Sequence, residues 1–198
     1  MQIVNVEQRS PEWFKLREKR MTASEAQAIG NNGKGLQTYI MKLMTEYYSK
    51  AEKEHYSNKD TERGNELEDS AGFLYSMKTG LETQKVGFVI HDEYSGCSPD
   101  LLVGFDGLAE IKCPADKAYF DLLISDKVDS GYIWQMQMQM LTTGRVWCDF
   151  VAYNPNYEQD MIIKRFYPDP VMYEKLKLGM NSGIEQIKQI EERMQNEV

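Results

Sequence analysis

Pro99-Asp100-Leu101-Leu102-Val103-Gly104-Phe105-Asp106-Gly107-Leu108-Ala109-Glu110-Ile111-Lys112 reads as two short strands joined by a glycine-bounded turn. Asp100–Val103 and Leu108–Lys112 are aliphatic enough for a half-buried sheet, and Gly104–Gly107 is turn chemistry, so a hairpin is predicted. Alternation along the second strand sends Glu110 and Lys112 to one face and Ile111 to the other. Asp100 stands at the start of the neighbouring strand, so two carboxylates and an ammonium converge. Hard oxygen ligands beside a lysine that can hold or activate a water are the parts of a metal-assisted phosphodiester hydrolysis. The bland alternative is a solvated hairpin. Leu101, Leu102, Val103, Leu108, Ile111 and Cys113 weigh against it, because charges set into a half-buried sheet require a partner or a metal.

The 198 residues suit one domain, read as residues 1–198, and the 41% hydrophobic and 27% charged content is that of a soluble globular protein. No apolar run approaches a membrane span, and Met1–Glu7 is no signal peptide, so a cytoplasmic location is expected. The three cysteines, Cys97, Cys113 and Cys148, show no CxxC spacing. A zinc site, an iron–sulfur cluster and a disulfide framework are therefore not expected. With two histidines, His55 and His91, serine–histidine or cysteine–histidine catalysis has little to work with. A net charge of −8 opposes bulk attraction to nucleic acid, but Lys15, Arg17, Lys19 and Arg20 form a local basic cluster.

Further elements follow from punctuation. Ser10-Pro11-Glu12 starts a helix, and Thr22-Ala23-Ser24-Glu25 is a capping-box pattern opening a second, short helix that ends near Gly30. Asn31–Gly35 reads as a loop. Long helices are expected over Leu36–Lys53 and Asp60–Lys78, a strand over Lys85–His91, and helices over Ala118–Ser125 and Tyr132–Thr143. Trp147–Tyr153 and Met161–Tyr167 read as strands around an Asn-Pro-Asn turn. From Val171 onward the chain is helical, with Ile184, Ile187, Ile190 and Met194 as its packing stripe. An α/β domain is the economical architecture.

Three more groups are candidates for the same site. Glu68 lies on the Asp60–Lys78 helix with Gly64 and Gly72 one turn away on either side, leaving room for a ligand or another element; a solvated acid beside Glu66 and Asp69 is the alternative. Ser24 falls in the first turn of the second helix, an anion-binding position, and Arg17 can grip a phosphate bidentately. Simple capping and a surface cation are the respective alternatives. The hydroxyl of Ser98 can turn to the same phosphate. Gln135 and Gln139 share a helix face at i, i+4, suited to a backbone phosphate, a water or plain solvent.

In order and spacing together, Trp13–Arg17, Thr22–Glu25, Gly64-x3-Glu68, Ser98-Pro99-Asp100, Glu110–Pro114 and Tyr132–Gln137 resemble the phage lambda exonuclease family. These are YqaJ-like viral recombination nucleases of the PD-(D/E)xK superfamily. The resemblance implies a central mixed β-sheet flanked by α-helices and a metal-dependent exonuclease that digests one strand of duplex DNA 5′→3′ from a 5′-phosphorylated end. It implies that Asp100 and Glu110 are metal ligands with the Ile111 carbonyl, that Glu68 completes the site, and that Lys112 positions or activates water. By the same resemblance Gln135 is the active-site glutamine, and Arg17, Ser24 and Ser98 bind the 5′-phosphate. Two Mg2+ ions about 3.5–4 Å apart, with Mn2+ as a substitute, a ring-shaped homotrimer and a phage single-strand annealing partner are implied likewise. On position alone, Asn31–Gly35 is a candidate to separate the strands. The rivals are an endonuclease of the same superfamily and a non-catalytic DNA-end adaptor. The phosphate-pocket residues argue against the first, the intact Asp100, Glu110 and Lys112 against the second.

Overall fold

Caps and left-handed residues set the element boundaries. The computed structural model describes residues 1–50 and 59–196. After β1 (Gln2–Val4), α1 (Pro11–Arg17) is capped by Ser10, whose hydroxyl accepts from the Trp13 amide. β2 (Met21–Thr22) runs through a 3₁₀ turn at Ala23–Glu25 into α2 (Ala26–Asn31). Next come α3 (Lys34–Tyr48) and α4 (Lys59–Thr79), which Gly80 ends at φ +67°. β3 (Thr83–Lys85), β4 (Phe88–Ile90), β5 (Ser95–Cys97), β6 (Leu101–Val103) and β7 (Gly107–Lys112) form the centre. α5 (Asp116–Ser125), α6 (Ser130–Thr143), β8 (Trp147–Tyr153), β9 (Met161–Phe166) and α7 (Pro170–Asn196) complete the described chain.

The expected mixed sheet has the order β3-β6-β7-β8-β9, with β7 and β8 parallel and the other pairs antiparallel. A second, four-stranded sheet, β1-β4-β5-β2, stands beside it. The hairpin forms with Leu101 opposite Ala109, and Gly104 takes φ +50° in its turn. Alternation then divides the core. Leu108, Cys148, Phe150 and Ala152 pack in a cluster with residues of α2, α3, α6 and α7. Ala109, Ile111, Val151, Leu101 and Val103 pack with Ala71 and Tyr75 of α4 on the other face. Glu110 and Lys112 share the parity of Leu108 and so lie on the face that carries α6.

Several boundaries differ from the sequence expectation. The apolar run Lys85–His91 is two strands in two sheets. The break falls at Val86-Gly87, where a Cβ on Gly87 would lie 2.2 Å from the Val6 carbonyl oxygen. No capping box forms at Thr22–Glu25. The Thr22 hydroxyl is engaged by Arg17 and Ser24 instead, and α2 begins only at Ala26. The Asn31–Gly35 loop shrinks to Asn32 and Gly33. α3 ends at Tyr48; its expected extension to Lys53, and His55, lie outside the described residues, as do the surroundings of Gly64. In the α7 stripe Ile187 is buried and Ile184 and Ile190 pack against the core, but Met194 is exposed, its place taken by Leu176 and Met180.

Candidate active site

Glu110 is 1% exposed, and a carboxylate so placed needs donors on both oxygens. It has three. Lys112 Nζ (2.5 Å) and Gln135 Nε2 (2.6 Å) donate to Oε1, and Gln139 Nε2 donates to Oε2 at 2.6 Å. The glutamine face of α6 is therefore turned to a carboxylate, a partner the sequence reading did not name. One oxygen of Asp100 accepts from the Ile111 amide at 2.6 Å, which ties the start of β6 to the middle of β7. Burial and the neighbouring charge of Glu110 push the Asp100 carboxyl well above its ordinary range. Burial works against the Lys112 ammonium, yet Glu110 and Asp100 outweigh it and hold the ammonium above its usual value.

One cavity of about 170 Å³ gathers Arg17, Ser24 and Ser98 with Asp100, Glu110, Lys112 and Gln135; Gln8, Trp13, Ala23 and Gln139 complete its lining. Trp13 organises one wall. Its indole Nε1 donates to Ser98 Oγ at 2.8 Å and to the Gly87 carbonyl at 3.0 Å, and the Arg17 guanidinium lies 4.2 Å from the ring centroid. Arg17 also donates to Thr22 Oγ1 at 3.2 Å, and burial lowers its pKa. Ser24 is exposed, in the 3₁₀ turn and not at a capped helix start. Two other members of the basic cluster have partners outside the cavity: Lys19 pairs with Glu191 at 2.5 Å, and Arg20 donates to the Leu16 carbonyl.

Two predicted residues do not line this cavity: Ile111, whose side chain packs on the other face of the sheet, and Glu68. The latter comes from α4, on the opposite face of the sheet, and reaches an adjoining cleft of about 630 Å³ that shares Asp100 and Gln8 with the cavity. There it pairs with Arg9 at 3.1 Å. Glu66, the other acid of that turn, is exposed.

The carboxylates of Asp100, Glu110 and Glu68 are, in kind, oxygen donors that suit a hard divalent cation. Burial first, and the negative charge of Glu110 second, disfavour the ionised form of Asp100, a condition that a bound cation would relieve. The Gln139 Oε1 atom is buried with no hydrogen-bond partner. Among the described residues no three acidic, histidine or cysteine side chains form a closed ligand cluster. The oxygens of Glu110 face Lys112, Gln135 and Gln139, and Glu68 faces Arg9.

Gln8, Arg9, Trp13 and Gln139 were not among the predicted site residues. Gln139 carried a signal, its i, i+4 relation to Gln135; Gln8 and Arg9 sit in an irregular segment with none. The three cysteines are free, and burial raises all three thiols, Cys97 to about 12 and Cys113 to about 11.

A mixed sheet with Asp100 at the entrance to one strand and Glu110-x-Lys112 on the next, covered by helices on both faces, is the architecture of the PD-(D/E)xK nuclease class. Within that class the chain belongs to the family of the YqaJ-like viral recombinase domain, which its residues 12–146 match. The alkaline exonuclease LHK-Exo from Laribacter hongkongensis is similar over 95% of this chain and 97% of its own, at 30% identity and a TM-score of 0.86. Its complex with dAMP superimposes equally well, with a TM-score of 0.86. A phage-related exonuclease from Haemophilus somnus 129PT, 17% identical over 91% of this chain and 98% of its own, shares the fold at a TM-score of 0.65. No curated protein matches the sequence. Among the described residues no helix is long and apolar enough to cross a membrane.

Proposed function

We propose that residues 1–198 form one nuclease domain acting as a divalent-metal-dependent 5′→3′ exonuclease. It degrades one strand of linear duplex DNA from a 5′-phosphorylated end and leaves a 3′ overhang. The observation that carries this reading is the single cavity in which Arg17, Ser24 and Ser98 stand beside Asp100, Glu110 and Lys112. An anion-gripping wall next to a carboxylate–lysine group positions one phosphate at a fixed distance from another, which is the demand of cutting one nucleotide from an end. An internal cut makes no such demand. The 30% identity to an alkaline exonuclease over 95% of the chain supports the same reading.

In this reading Asp100, Glu110 and the Ile111 carbonyl hold the metal, with Glu68 as a further carboxylate. Mg2+, or Mn2+ in its place, supplies Lewis-acid stabilisation of the charge developing on the phosphate. Lys112, held as an ammonium, would donate from Nζ to the attacking water and orient it, while Gln135 and Gln139 keep the Glu110 carboxylate from turning away. Arg17 and the Ser24 and Ser98 hydroxyls bind the terminal phosphate. The same proposal includes a cytoplasmic homotrimer that encircles duplex DNA and passes its overhang to a phage single-strand annealing protein.

A digestion assay with magnesium tests it, on linear duplexes ending in 5′-phosphate or 5′-hydroxyl and on a closed circle. Mononucleotides released from the linear forms alone, faster with the phosphate, are expected. Nicking of the circle would assign an endonuclease, and end binding without turnover a non-catalytic adaptor.

A further inference from the structure

We propose that Arg9 is a substrate-positioning residue that takes a backbone phosphate of the strand being digested, on the 3′ side of the scissile bond. The inference rests on the exonuclease reading above and extends it to the neighbouring cleft. The cavity and the cleft of about 630 Å³ share Asp100 and Gln8, so they form one trough. Arg17 and Ser24 lie at one end, the carboxylates in the middle, and Arg9 with Lys85 in the cleft beyond. With the terminal phosphate on Arg17 and the scissile phosphate at Asp100 and Glu110, the remaining strand leaves toward Arg9. The cleft on the other side, lined by Arg20 and Lys42 but also by Glu18, Glu25 and Glu46, lies behind the terminal phosphate.

Both cations of the exit cleft are held by acids of α4, Arg9 by Glu68 at 3.1 Å and Lys85 by Asp69. These pairs are solvent-facing, with Arg9 46% and Lys85 61% exposed at their side chains. Such pairs contribute little and exchange readily for a phosphate. The backbone supplies an independent observation. Arg9 adopts φ +69°, a left-handed conformation that a non-glycine residue holds only under constraint. The constraint is visible: Gln8 Nε2 donates to the Val86 carbonyl at 2.9 Å and the Pro99 carbonyl at 3.2 Å, pinning the turn to the β3–β4 junction and to the segment that leads into Asp100. The turn thereby holds the guanidinium over the mouth of the trough. If Arg9 takes the phosphate, Glu68 is released beside Asp100, so one exchange serves both groups.

The test compares Arg9→Gly, which relieves the left-handed strain and keeps the fold, with Arg9→Lys. Two substrates are used: a 5′-phosphorylated linear duplex, and thymidine bearing a 5′-phosphate and a 3′-p-nitrophenyl phosphate ester, which has no downstream strand. The ratio of kcat/KM for duplex over ester should fall about tenfold in Arg9→Gly, the size of one charge-assisted hydrogen bond, and recover in Arg9→Lys. Duplex binding measured with calcium in place of magnesium should lose about one unit from the slope of log K against log salt. An unchanged ratio, or an unchanged salt slope should the wild-type protein leave the ester intact, overturns the role of Arg9 alone. A wild-type protein inert on both substrates overturns the exonuclease reading, and this inference with it.

Discussion

Gln139 restrains Glu110 at the cost of its own oxygen: Nε2 donates to Glu110 Oε2 at 2.6 Å, while Oε1 stays buried without a partner. Turning the amide over would set two acceptors against each other, so the carboxylate dictates the orientation. Gln139→Met keeps the volume and removes the clamp and the unsatisfied oxygen together. Each of those changes is worth about 1–3 kcal/mol with opposite sign. Stability by urea unfolding should therefore move by less than about 1 kcal/mol, while turnover on linear duplex falls more than about tenfold. Unchanged turnover would leave Gln139 as packing only.

The pH dependence of stability should report Asp100. Burial and Glu110 raise its carboxyl well above the ordinary 3.8. The folded state then binds a proton that the unfolded state has already released, so stability present at low pH is lost as pH rises from about 4 through the folded value. Asp100→Asn can keep the acceptor for the Ile111 amide and removes the titration. In metal-free urea unfolding, the stability of wild type relative to Asp100→Asn should decline across that window and then level off, with turnover abolished in the variant. A difference independent of pH would mean that the carboxyl is not strained by its site.

How much of this site is legible in the sequence depends on the range of the interactions. Asp100, Glu110 and Lys112 fall where period-two alternation and a glycine turn put them, because the hairpin is local. The helix face of Gln135 and Gln139 is equally local, but their partner Glu110 lies 25 and 29 residues away, and no nearby residue names it. The split of Lys85–His91 between two sheets comes from the approach of Val6 to Gly87, a contact across most of the N-terminal half. Asp149 sits in an apolar strand, yet it is buried and satisfied by Arg165 (2.8 and 2.9 Å) and the Tyr75 hydroxyl (2.7 Å) from other elements. Arg9 and Glu68 are 59 positions apart, and nothing in composition marks a left-handed arginine.

Metal addition and removal give a readout that does not pass through catalysis. If Asp100 and Glu110 hold a divalent cation, magnesium stabilises the folded state by mass action, about 2.7 kcal/mol at a hundredfold excess over Kd. A thermal melt of wild-type protein should shift upward with magnesium and return with EDTA, and Asp100→Asn should not respond. The same shift in Asp100→Asn would place the ion elsewhere.

Arg17 separates a structural role from a binding one, because its hydrogen-bond and ring partners, Thr22 and Trp13, are neutral and burial outweighs the opposing charge of Glu25. Its guanidinium lies 4.2 Å from the centroid of the Trp13 ring and donates to the Thr22 hydroxyl at 3.2 Å, and burial lowers its pKa. A cation desolvated against neutral partners does not contribute to folding in proportion to its contacts, and an apolar replacement of similar length is neutral or stabilising. Arg17→Met should keep the contact with the Trp13 ring and leave the urea midpoint unchanged or raised by the equivalent of about 1 kcal/mol. The preference for 5′-phosphate over 5′-hydroxyl ends should collapse to within about twofold, since one charge-assisted bidentate contact accounts for a factor of about ten or more. Initial rates on the two linear duplexes measure it directly. A preference retained in Arg17→Met would move the terminal phosphate away from the wall that Trp13 and Ser98 build, and a large drop in stability would make Arg17 a structural cation instead.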